Sequence, residues 1–398
     1  MPDEPILIAG GGIGGVAAAL ALARTGRRVH VLEQADAFGE VGAGIQLGPN
    51  VFRMFAQLGL TEAIRETAVE PEALVMRDAL DGSTVVTMPL GDPFRRHFGF
   101  PYAVIYRPDL HEALLQACRA EPGVTLETGV DVQEIEERAG GAVQVRSADG
   151  QQFEGAALIG ADGLWSRVRT HLVDDGPPRV SGHIAYRAVL PAEAMPEHLR
   201  WRKVVLWAGP RTHLVQYPLR RGEIFNLVAV FHSDRYEEGW NEFGDPEELH
   251  ARFRGEHADV LTLLDRIESW RMWVLCDREP IRDWSRGRIA LLGDAAHPML
   301  QYLAQGACMA IEDAVCLAHQ VAEAGDDLAL AFQRYQQLRY LRTARVQLTA
   351  RLYGDVYHAE GASADLRRAM FARPNPQGPY QGVEWLYAGV NDRGEQIV

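Results

Sequence analysis

A run of glycines near the amino terminus, Gly10-Gly11-Gly12-Ile13-Gly14-Gly15, interrupts a stretch over residues 6–23 that carries no charge. At 18 residues the stretch reaches the lower limit for a membrane span or a signal segment. Its flanks argue otherwise, because MPDEP is acidic where a signal segment needs cations, and five glycines break the run. A strand over residues 5–9, a glycine turn and an alanine- and leucine-rich helix over 13–24 fit better. Thr25-Gly26 closes that helix, and a second strand follows over 27–33. A right-handed crossover then sets the two strands side by side in a parallel sheet.

Gly10, Gly12 and Gly15 match the spacing GxGxxG. The first glycine permits the tight turn, the second lets backbone N–H groups approach a pyrophosphate, and the third lets helix pack closely on strand. The helix start adds partial positive charge toward the phosphates. Glu33 ends the second strand 18 residues after Gly15, where a carboxylate accepts hydrogen bonds from a ribose diol. These features specify a dinucleotide site. No second glycine fingerprint follows, so a second dinucleotide must bind elsewhere.

At about 150 residues per domain, 398 residues make two to three structural units. A net charge of −14 argues against nucleic acid or an anionic membrane surface as partner. Cys118, Cys276, Cys308 and Cys316 have no CxxC pairing, which fits four reduced, buried thiols in the cytoplasm. No His/Cys/Asp set has metal-ligand spacing, so no metal is expected.

After YRPDLHEALLQACR, which opens a helix with Pro108 in its first turn, the strand-like runs VTLETGVDV, AVQVRSADG and QQFEGAALIGADG follow. Between about residues 180 and 273 the runs VSGHIAYRAVL, KVVLWAGP, HLVQYPL and EIFNLVAVFH alternate as in a half-buried antiparallel sheet. RIALLGDAAH returns to an apolar strand, a long helical region spans 305–354, and RPNPQGPYQG reads as irregular. The expected fold is therefore α/β. A discontinuous dinucleotide domain (1–75, 100–178 and 275–350) is interleaved with a β-sheet substrate domain (76–99 and 179–274), and 351–398 form a helical or irregular tail.

Two further motifs close strands. Asp162-Gly163 places a carboxylate near the sheet's carboxyl edge, where ligands bind. In Gly293-Asp294-Ala295-Ala296-His297-Pro298, Asp294 is placed to accept from a polyol, and the helix opening at Gly306 and Ala307 aims its positive end across the strand edge. His297 reads as a turn residue, and Asp283, Glu312 and Asp313 as caps or helix-surface charges.

In this order, the glycine fingerprint with Glu33, Asp162-Gly163 and GDAAHP resemble the single-component flavin-dependent aromatic hydroxylases over nearly the whole chain. The resemblance implies a Rossmann-like FAD domain, with Gly10, Gly12, Gly15 and Glu33 on the ADP half. It implies Asp162 serving FAD and a passing nicotinamide, Asp294 on the ribitol, and Arg107 near the pyrophosphate. It further implies a small aromatic acid, O₂ and NADH as co-substrates, with NADPH left open, and oxygen transfer through a C4a-hydroperoxyflavin. Gln301, where many relatives carry proline, points to the branch that hydroxylates 3-hydroxybenzoate para to its phenol. The salicylate- and 6-hydroxynicotinate-acting branches are the alternatives.

His213 and Tyr217 resemble that branch's pocket residues, and the chemistry fits. On a strand, His213, Val215 and Tyr217 face one side. Electrophilic oxygen transfer is faster to a phenolate, and a neutral histidine is suited to take the phenolic proton. Gln301 both donates and accepts, so it orients the phenolic oxygen without adding charge. The bland readings are a satisfied strand histidine, a packed tyrosine and a loop glutamine. A flavin dehydrogenase that inserts no oxygen, or a non-catalytic flavin-binding sensor, are the rival functions. The long apolar late helices and tail imply a homodimer.

Overall fold

The computed structural model describes residues 4–39, 42–138, 141–233, 240–267, 269–372, 378–391 and 393–397. Ile6–Ala9 is buried along its whole length, as an apolar strand covered on both faces must be. It lies at the centre of a six-stranded sheet whose five parallel strands run Val124–Thr128, Val29–Glu33, Ile6–Ala9, Ala157–Gly160, Ile289–Leu291, with the two-residue Ser285–Arg286 at the edge. The chain order reverses between Ile6–Ala9 and Ala157–Gly160, and the crevice for a ligand opens at such a switch point. The charge-free segment is the predicted strand, turn and helix (Ile13–Ala23), and that helix is buried nearly all round. Among the described residues no helix is long and apolar enough to cross a membrane.

The alternating segments form an eight-stranded sheet, antiparallel except where Val204–Gly209 runs parallel to Ala73–Asp78. Ala73–Asp78 and Arg271–Asp277 both belong to it, so the expected domain boundaries at 75/76 and 274/275 fall inside strands. Arg179–Pro191 pairs with Ile224–His232, which pairs in turn with Thr212–Leu219. One face of this sheet turns toward the parallel sheet, and a cavity of about 1190 Å³ lies between the two.

The single helical region expected over 305–354 is two helices, Gly306–Ala324 and Leu328–Tyr357. Gly325, at φ +60°, ends the first, and the Asp327 carboxylate accepts from Leu330 N (3.1 Å) to start the second. The two helices are locked by charges that the sequence reading placed on the surface. Glu312 and Asp313 are fully buried, and Arg339 reaches both, at 2.8 and 2.7 Å. Arg342 adds a second cation on Glu312 at 2.7 Å. Removing one partner from such a buried network costs about 3–5 kcal/mol, because the remaining charge has no water to turn to.

The four cysteines are free, and three are buried; Cys276 is half-buried and lines the cavity, which corrects the expectation of four core thiols. Of the irregular tail RPNPQGPYQG, residues 373–377 lie outside the described residues, and a short helix, Glu384–Tyr387, follows it.

Candidate active site

The glycine turn is built as tightly as its spacing demands. Gly10 has φ +104°, and a Cβ there would sit 2.4 Å from the Ala161 carbonyl oxygen. A Cβ on Gly15 would sit 2.0 Å from the Gly10 carbonyl oxygen. Gly12 precedes the helix Ile13–Ala23, which no side chain caps and whose first turn carries no acid, so its N–H groups are left for a ligand. Glu33 accepts from Gly11 N at 2.6 Å, fixing a carboxylate beside the turn. His111, which the sequence reading passed over, donates from Nε2 to the Gly11 carbonyl (2.7 Å) and braces the same turn from the helix Arg107–Arg119.

Gly12, Arg107, Asp294, Gly306 and Ala307 all line the cavity. Asp294 is exposed into it, and burial within the protein pushes its carboxyl up, against the charges of His297 and Arg107. The 19-residue helix Gly306–Ala324 also starts without a side-chain cap. Two bare helix starts, a guanidinium and a carboxylate along one cavity fit a dinucleotide carrying a polyol and a flavin ring.

Asp162 is placed differently. Its carboxylate accepts from Arg167 N (2.7 Å), Val168 N (3.1 Å) and the Ser166 hydroxyl, so it starts the helix Arg167–Leu172 and does not line the cavity. From that helix Arg169 donates to the carbonyls of Ala295 (3.0 Å) and Ala296 (2.7 Å), clamping the Asp294 loop. His297 is more than a turn residue: it donates to Asp313 at 2.5 Å, and Asp313 also accepts from Gly293 N. Burial would raise Asp313, but His297 and Arg339 outweigh it and hold the carboxyl at about 2.

Across the cavity, strand alternation works as expected. His213, Val215 and Tyr217 line it, whereas Gln216 points away to bond the Leu199 carbonyl. His213 is buried and lowered to about 3, first by burial and then by His183. It is therefore uncharged at neutral pH. Burial raises the Tyr217 phenol, and its ring crosses Gly44 so closely that a Cβ there would lie 2.4 Å away. Gln301 lines the same space.

The sequence reading missed Arg187. It lines the cavity, stacks 5.1 Å over the Trp273 ring, and donates to the Gln301 side-chain carbonyl. Its Nε is buried without a partner among the described residues, and burial lowers the group to about 10, still cationic at pH 7. A buried guanidinium with an unspent donor is a ready carboxylate site. The alternation of VSGHIAYRAVL marks its strand but not which face of that strand meets the cavity.

The comparisons agree with this geometry. The family described as FAD binding domain matches residues 3–346. A 3-hydroxybenzoate 6-hydroxylase of Polaromonas naphthalenivorans (strain CJ2) is 47% identical over 385 residues, 97% of this chain and 96% of its own. The 6-hydroxynicotinate 3-monooxygenase of Bordetella bronchiseptica (strain ATCC BAA-588 / NCTC 13252 / RB50) is 36% identical over 356 residues, 87% of this chain and 91% of its own. Among solved structures, a salicylate hydroxylase substrate complex superposes with a TM-score of 0.81 at 25% identity, covering 97% of this chain and 95% of that one. A Klebsiella pneumoniae HpxO variant complexed with FAD gives 0.84 at 25% identity, covering 97% and 99%. The cradle, the bare helix starts and these matches lead to one conclusion: the chain belongs to the FAD binding domain family, among its flavin-dependent aromatic hydroxylases.

Proposed function

We propose that this enzyme hydroxylates 3-hydroxybenzoate at carbon 6, giving 2,5-dihydroxybenzoate, at the expense of a reduced nicotinamide and O₂. The observation that carries the reading is one cavity lined both by Gly12, Arg107, Asp294 and Gly306 of the dinucleotide fold and by Arg187, His213, Tyr217 and Gln301. Relatives 45–47% identical over nearly their full length bear the name 3-hydroxybenzoate 6-hydroxylase, which supports the same substrate.

On this reading Gly10, Gly12, Gly15 and Glu33 hold the ADP half of FAD, Arg107 the pyrophosphate, Asp294 the ribitol, and the helix start at Gly306 and Ala307 the flavin carbonyl. Asp162 acts at one remove, through the helix whose Arg169 clamps the Asp294 loop. FAD, when bound, supplies hydride acceptance from the nicotinamide and delivery of one oxygen atom to the ring. The chain's own groups do the rest. Arg187 binds the carboxylate, and the Tyr217 hydroxyl adds a hydrogen bond. His213 takes the phenolic proton, and the substrate's negative charge raises its basicity once bound. Gln301, its carbonyl engaged by Arg187, offers its amide N–H to the phenolic oxygen. Val215, Leu300 and Met299 wall the space and exclude water.

Free thiols fit a reducing cytoplasm. A homodimer fits the exposed Leu341, Leu348 and Leu352 on the last long helix. NADH is the proposed reductant, assigned by assay beside NADPH.

The test is flavin reduction followed anaerobically with 3-hydroxybenzoate, salicylate or 6-hydroxynicotinate present. Stimulation by 3-hydroxybenzoate above the other two is the expected result. Greater stimulation by either rival acid removes the substrate assignment.

A further inference from the structure

The geometry points to a binding site for a divalent transition metal ion of the zinc class, formed by His183, His232 and His358. The three come from distant parts of the chain. His183 and His232 are cross-strand partners on Arg179–Pro191 and Ile224–His232, and His358 caps the helix Leu328–Tyr357. A bulge between Val180 and Ile184 interrupts the pairing of this strand with Arg271–Asp277, and Gly182, at φ +77°, lies just before His183. Arg211 N bonds the His358 carbonyl at 3.0 Å, fixing the helix end to the sheet.

Three ring nitrogens converge. His232 Nε2 lies 2.8 Å from His183 Nε2 and 3.2 Å from His358 Nδ1. One imidazole nitrogen has a single in-plane position, a proton or a lone pair, so His232 Nε2 serves two neighbours poorly by hydrogen bonding alone. A cation at the centre serves all three. Zinc–nitrogen bonds of about 2.0–2.1 Å in tetrahedral geometry set the nitrogens about 3.3 Å apart. The two separations from His232 Nε2 are close to that, and all three nitrogens lie within 4.8 Å of one another. Burial lowers all three histidines, helped by neighbouring imidazoles at His183 (to about 4) and His358 and by Arg211 at His232, and the neutral imidazole is the ligating form. His183 and His232 are half-buried, which leaves an entry path and a fourth position for water.

Two of the three outer nitrogens are also provided for. A ligating histidine donates its other N–H to an acceptor that fixes its tautomer. His183 Nδ1 meets the Tyr302 hydroxyl, and His358 Nε2 lies 2.7 Å from His213 Nδ1. Resting on the reading of His213 as base, this contact gives the site a consequence. A metal on His358 Nδ1 places the proton on His358 Nε2, which then donates to His213 Nδ1. The His213 proton must then sit on Nε2, and the nitrogen left for the substrate becomes a donor. Metal occupancy thus switches the base off.

The test uses Co²⁺ as a coloured probe on the flavin-loaded enzyme, with the flavin spectrum subtracted. Tetrahedral ligand-field bands saturating at one ion per chain are expected. His232→Ala and His183→Gln, each checked for retained flavin and an unchanged melting temperature, are expected to weaken binding by about tenfold or more. Octahedral-type bands only, or binding unaltered in both variants, overturns the site. Zn²⁺ at saturating concentration is expected to slow product formation in the wild type and not in His232→Ala. Tetrahedral binding with an unchanged rate keeps the site and overturns its link to His213.

Discussion

Arg187 donates to the side-chain carbonyl of Gln301, and both residues face the cavity from different parts of the chain, one on the inserted sheet and one in the loop after the Asp294 turn. The contact fixes the amide with its N–H₂ turned away from the guanidinium, which rests over the Trp273 ring of the cavity wall. A pocket that must orient a phenol and hold a carboxylate has both tasks served by this pair.

Arg187→Gln removes the cation without removing the hydrogen-bonding capacity. Loss of a charge-assisted hydrogen bond of roughly 1.5–3 kcal/mol raises KM for the aromatic acid about tenfold to a hundredfold. The same change leaves 3-hydroxybenzyl alcohol, which lacks the carboxylate, nearly unaffected. Steady-state kinetics with both compounds check it. An equal loss for both assigns Arg187 to packing.

Gln301→Ala keeps the flavin and the acid but loosens the phenol, so a larger share of O₂ consumed leaves as H₂O₂. His213→Ala slows product formation by about a hundredfold or more, the range for a positioned base. Its rate recovers as pH rises and solution base replaces the ring. Product and peroxide yields per nicotinamide oxidised measure both. Normal coupling in both variants removes these residues from the mechanism.

Sequence and structure meet most closely where the constraint is local. Gly15 was legible because a Cβ there strikes the Gly10 carbonyl within the same turn, and Gly10 because its φ of +104° favours glycine whatever surrounds it. His213, Val215 and Tyr217 were legible because a strand repeats every second residue. Arg187 was not, since which face of its strand meets the cavity depends on pairing with Ile224–His232, far along the chain. Glu312 and Asp313 look like surface charges until Arg339 and Arg342 arrive from the next helix. Asp162 was assigned to ligands from its strand-end position, but three donors in its own following turn claim the carboxylate first.

Glu256 gives the protein a pH-dependent stability. It is buried, it accepts from the Thr212 hydroxyl, and burial pushes its carboxyl up from 4.5 to about 8, with Asp78 adding to the rise. Because the folded value is the higher one, folding favours the protonated form. That contribution is full below about pH 4.5 and is lost as pH climbs through about 8, at up to about 1.4 kcal/mol per pH unit. Glu256→Gln flattens the slope across this window and is the more stable protein at its upper end. Urea melts through the window read it out, and parallel curves for the two proteins contradict it.

Leu341, Leu348 and Leu352 are 51–65% exposed on one helix, at the seven- and four-residue steps of a helix–helix seam. Leu348→Glu converts a dimer to a monomer in sedimentation velocity while leaving the flavin bound. A wild-type chain that already sediments as a monomer contradicts the pairing.

The central claim is that an aromatic acid held by Arg187 is hydroxylated within the cavity that the dinucleotide cradle shares. One measurement meets it directly: anaerobic reduction of the FAD-loaded enzyme with 3-hydroxybenzoate present, exposure to ¹⁸O₂ for a single turnover, and mass analysis of the product. The account predicts 2,5-dihydroxybenzoate carrying one ¹⁸O atom. Recovery of unaltered 3-hydroxybenzoate with full reoxidation of the flavin contradicts it.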